Sequence, residues 1–76
     1  MIKESRIRIN EMRETVIRAC YELRAAEVDL SARRLGKRSN TPIELDHAVF
    51  RESKAARQLR IEIDRLHREE KILGLI

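Results

Sequence analysis

Few residues in this chain could carry chemistry, and their spacing decides what they can do. His47 and His67 stand twenty positions apart and Cys20 lies far upstream, so no pair has the C-x-x-C or H-x-x-x-H interval that sets two ligands on one metal ion. No metal is expected. Cys20 has no base at a defined spacing to take its proton, which predicts a small apolar residue beside a helix seam rather than a nucleophile. Gly36 and Gly74 are isolated, so no glycine-rich loop cradles a phosphate and no cofactor is implied. His67 follows Asp64 at the spacing of an ordinary helical surface pair. Lacking any constellation of catalytic groups, the sequence reads as a non-enzyme.

Charge offers more. Seventeen Lys and Arg against thirteen Asp and Glu give a net charge of +4. The excess falls in residues 1–38, with ten basic and six acidic side chains, while residues 39–76 hold seven of each. Arg33, Arg34, Lys37 and Arg38 lie within six positions, and no acidic residue occurs between Asp29 and Glu44. A compact cationic patch of this kind attracts phosphates, which makes nucleic-acid binding by the segment Arg33–Arg38 the alternative function. Aromatic residues for base stacking are nearly absent at 3%, so reading of base sequence is not expected.

The elements that must position these groups are helices. Ile9, Met12, Val16, Ala19, Leu23, Ala26 and Leu30 alternate steps of three and four, a heptad seam, and no Gly or Pro interrupts residues 1–35. The pattern predicts a helix over 3–35, stopped at Gly36 after the basic pair Arg33 and Arg34. Thr41-Pro42-Ile43-Glu44 restarts the chain with an N-cap hydroxyl, a first-turn proline and a glutamate three residues after the cap, the capping-box pattern. A second helix over 42–73 follows, its predicted seam being Val49, Ala56, Leu59, Ile63, Leu66 and Leu73 with Glu52 and Glu70 breaking it. The short connection folds the second helix back along the first. The fold class is therefore all-α: an antiparallel two-helix hairpin, with residues 1–76 forming one domain.

Two helices packed face to face cover one stripe each. A second apolar row on the first helix, Ile17, Tyr21, Ala25, Val28, Ala32 and Leu35, stays uncovered and predicts self-association into a homodimeric four-helix bundle. Ile17, Tyr21, Val28 and Leu35 are its large members. On the second helix Phe50, Ile61 and Ile72 recur every eleven residues among Lys54, Arg57, Arg65 and Arg68. Large apolar anchors framed by arginine mark a protein-binding surface, and the expected function is a small regulator, adaptor or inhibitor that binds a larger protein. The apolar tail Leu73-Gly74-Leu75-Ile76 must dock or fray.

Glu44-Leu45-Asp46 resembles the Glu-Leu-Asp part of the signature of small helical-hairpin aspartyl-phosphate phosphatases that regulate sporulation. The likeness spans three residues, Pro42 stands where that family has serine, and these arms are longer. The capping box already accounts for Glu44, and the chain is not assigned to that family. No apolar run is long enough to cross a bilayer, acidic residues along both arms argue against a membrane surface, and the lone cysteine suits a cytoplasmic setting.

Overall fold

Alanine, leucine, arginine and glutamate favour helix, and the chain forms two: α1, Lys3–Arg34, and α2, Pro42–Ile72. The structure is a computed structural model and describes residues 3–38 and 40–75. Ser39 in the connection and Ile76 of the apolar tail lie outside the described residues.

Each helix stops one residue before its predicted end, for the same reason. Gly36 and Gly74 both adopt φ 73°, the left-handed conformation that glycine enters without a Cβ penalty. After α1, Lys37 N–H donates to the Ala32 carbonyl at 2.8 Å and Gly36 N–H to that of Arg33 at 3.1 Å. After α2, Leu75 N–H donates to the Glu70 carbonyl at 2.8 Å and Gly74 N–H to that of Lys71 at 3.1 Å. These are two copies of one Schellman cap. At the start of α2, Thr41 Oγ1 accepts from the Glu44 N–H at 3.4 Å, and Pro42 fills the first turn. Only half of the predicted capping box forms, because the Glu44 carboxylate turns instead toward Arg33, 3.5 Å away.

The two helices lie antiparallel in a rod of 52 × 16 × 14 Å. Ion pairs fix their register: Arg8 to Glu69 at 2.8 Å, Arg13 to Glu70 at 2.9 Å, Arg51 to Glu22 at 3.0 Å and Arg33 to Glu44 at 3.5 Å. Each pair has at least one partner 45% or more exposed, and with that screening each contributes at most about 1 kcal/mol, so they align the arms more than they hold them.

The predicted seam of α1 is correct at every position, from Ile9 to Leu30. That of α2 holds at Ala56, Leu59, Leu66 and Leu73, all half-buried, and is corrected at Val49 and Ile63. Its face toward α1 runs through Leu45, Ala48, Glu52, Ala55, Leu59, Glu62, Leu66, Glu69 and Leu73, all buried or half-buried. Val49 and Ile63 sit one residue off that line and remain 38% and 39% exposed. Alanine at 48 and 55 lets the backbones approach, whereas the β-branched Val49 and Ile63 flank the contact. Cys20, expected beside the core, is exposed. Among the described residues the buried apolar set is Ile9, Ala26, Leu30, Ala48 and Ala55, so two large aliphatic side chains add about 1.5–3 kcal/mol each, and Met12, Val16, Leu23, Leu45, Leu59, Leu66 and Leu73 add less because they are half-buried. This is a thin core for 76 residues.

Candidate functional site

The residues predicted to bind another protein all lie on the outside of α2. Phe50 is 69% exposed, and Ile61 and Ile72 are likewise exposed. Eleven residues make three turns plus about 20°, so the three anchors form a nearly straight row about 33 Å long. Arg57, Arg65 and Arg68 are exposed beside it. Arg65 leans back toward the seam, 3.6 Å from Glu62. Ile43 precedes Phe50 by two turns and is also exposed, a residue the eleven-residue spacing missed and a seven-residue spacing would have found.

The charges on α2 are sorted by direction. Glu44, Glu52, Glu62, Glu69 and Glu70 are buried or half-buried, while Arg51, Lys54, Arg57, Arg60, Arg65, Arg68 and Lys71 are all exposed. Glu62, only 9% exposed, accepts a 2.8 Å hydrogen bond from Gln58 Nε2. Glutamates in the seam sit where a long arginine from α1 can reach them, as Arg8 reaches Glu69 and Arg13 reaches Glu70. Outward, only Asp46 and Asp64 oppose the cations. Asp64 makes no ion pair with His67.

On α1 the predicted second row is open to solvent. Ile17, Val28 and Leu35 are exposed and Tyr21 is 73% exposed, with Ala25 exposed and Ala32 half-buried between them. Ile7 lies on the same outer side, two heptads before Tyr21. Helix one thus turns its outer apolar residues away from helix two.

The basic turn is less cationic than its sequence. Asp29 accepts from Arg33 Nε at 3.0 Å and from Arg38, and these two hydrogen bonds, Arg33 first, hold its carboxyl below the usual carboxylate value. Arg33 also faces Glu44. Of the four basic side chains, Arg34 and Lys37 have no carboxylate within ion-pair distance among the described residues. The acidic residues that bound the stretch in sequence fold back onto it.

Among the described residues no group of three or more His, Cys, Asp and Glu side chains could hold a metal ion. Among the described residues no helix is long and apolar enough to cross a membrane. Comparison with family models, with curated proteins and with solved structures found no match for this chain.

Proposed function

We propose that this hairpin is a non-enzymatic protein-binding module that works as a homodimer, its α1 faces paired and its α2 faces presented to a larger protein. The observation that carries the reading is the number of large apolar side chains left exposed. Among the described residues three of the five buried apolar side chains are alanine, while Ile17, Tyr21, Val28, Leu35, Phe50, Ile61 and Ile72 are exposed. A domain that leaves so many large apolar side chains exposed has surfaces still to be covered.

Area supports a second copy as the cover for α1. The chain exposes 6115 Å², against about 4,900 Å² for a compact monomer of 9.0 kDa. The excess exceeds the roughly 800 Å² per partner of a standard interface. Pairing of α1 with its copy leaves the α2 row free, and its apolar anchors among arginines suit protein recognition.

Capture from native-host lysate tests the partner, with and without nuclease, using the parent chain and the double variant Phe50→Ser/Ile61→Ser. Both positions are exposed, so helicity should persist. Retention of a defined protein by the parent, unaffected by nuclease and lost with the variant, is the expected result. Retention that disappears with nuclease would move the function to the basic turn.

A further inference from the structure

We propose that the segment recognised by α2 is an acidic amphipathic helix laid along Phe50, Ile61 and Ile72. This rests on the protein-binding reading above and gives that partner its chemistry.

Residues 39–76 are formally neutral, yet the face they present is not. The fold withdraws five of the seven carboxylates of this half toward α1 and leaves all seven cations exposed. Arginines of α1 then meet three of those carboxylates, Glu44, Glu69 and Glu70. Lys54, Arg57, Arg60, Arg68 and Lys71 consequently have no carboxylate within ion-pair distance among the described residues. Neutrality of the strand of sequence thus conceals a cationic surface, created by which way the side chains point.

The shape of the row narrows the occupant. Its three anchors span about 33 Å in single file, the length of a helix of roughly 22 residues. A partner helix with one apolar stripe can seat all three, and carboxylates flanking that stripe fall within a screening length of the cations. Duplex nucleic acid would satisfy the charges but leave Phe50, Ile61 and Ile72 against phosphates and sugars. A bilayer needs a wider apolar face than a row bordered by Arg60, Asp64 and His67.

The test titrates the full chain with two synthetic peptides of about 22 residues that share one apolar stripe and differ only in flanks of Glu or Lys. Duplex DNA and phosphatidylglycerol vesicles serve as the other probes, all at about 0.15 M salt. The Glu peptide should bind about tenfold or more tightly than the Lys peptide, and Arg57→Glu/Arg68→Glu should erase or reverse that preference. Circular dichroism of this variant should match the parent, since both arginines are exposed. Equal affinity for the two peptides overturns the proposal, as does tighter binding of DNA or vesicles than of the Glu peptide. Binding of neither peptide, with Phe50-dependent capture from lysate intact, refutes the acidic helix and spares the protein-binding reading; loss of that capture as well removes both.

Discussion

The outer faces of α1 and α2 both display large apolar side chains, but cations run the length of the α2 row at Lys54, Arg57, Arg65 and Arg68, whereas on α1 Arg24 and Lys37 border the row only near Val28 and Leu35. On α1 the row from Ile17 to Leu35 is nearly continuous, with alanine filling the gaps between Tyr21, Val28 and Leu35. On α2 the anchors are eleven residues apart, with exposed Lys54 and Arg57 in the first interval and exposed Arg65 and Arg68 in the second. A continuous apolar stripe matches itself, because two copies related by a two-fold axis present the same surface to each other. A charged stripe does not, since pairing it with its copy would oppose like charges. This difference is why the proposed function gives self-association to one arm and recognition of something unlike itself to the other.

The largest effect should come from breaking the α1 row. Tyr21→Glu with Val28→Glu alters four positions in a two-fold dimer, and the expected loss is on the order of 4 kcal/mol or more, a thousandfold or greater rise in the dissociation constant. Sedimentation equilibrium should report a monomer for this variant and a dimer for Phe50→Ser/Ile61→Ser. A parent chain that sediments as a monomer at micromolar concentration would remove the distinction between the faces.

A smaller change sharpens the contrast between the inside of α2 and its outside. Glu62→Leu places an aliphatic side chain in the seam in place of a carboxylate held by Gln58 and Arg65, and should raise stability by about 1–2 kcal/mol in urea unfolding. Peptide binding at the outer row should be unchanged. Destabilisation would instead mean that this carboxylate sets the register of the arms.

The smallest effect belongs to the turn. Because Arg33 and Arg38 lower the carboxyl pKa of Asp29 in the folded chain, its contribution to stability is complete above the ordinary value of 3.8. It is lost as pH falls below 3.8 through the folded-state value. Asp29→Asn should therefore flatten the pH dependence of the thermal midpoint below pH 3.8 and leave it unaltered near neutrality. An unchanged acid profile would show that the Asp29 contacts do not hold the turn.

Much of this architecture is legible in the residues themselves. Thr41-Pro42 and the two isolated glycines mark helix ends by local backbone chemistry, which needs no knowledge of the rest of the chain. The seam of α1 is legible because it runs unbroken in steps of three and four from Ile9 to Leu30, whereas the second apolar row begins only at Ile17. On α2 two apolar heptad lines compete, Val49-Ala56-Ile63 and Ala48-Ala55, and hydrophobicity favours the first. Close helix approach favours the second, and Glu62 and Glu69 on that line become tolerable only through groups such as Gln58 on the next turn and Arg8 on the other arm. A pairing between arms is invisible within either. The same limit hid the sorting of charge: the anchors were readable from spacing, but the inward turn of the glutamates depends on where α1 lies.

The hairpin connection also sets an order of assembly. Contacts near the turn close short loops, whereas Arg51–Glu22 spans 29 residues and Arg13–Glu70 spans 57. Each doubling of a flexible loop adds about 0.6 kcal/mol of closure entropy, so zipping outward from Thr41-Pro42 is the least costly route. Run in reverse, a pull on residues 3 and 75 opens the arms one layer at a time rather than all together. A rod that resists shear along its 52 Å length would thus part at low force when peeled from its open end.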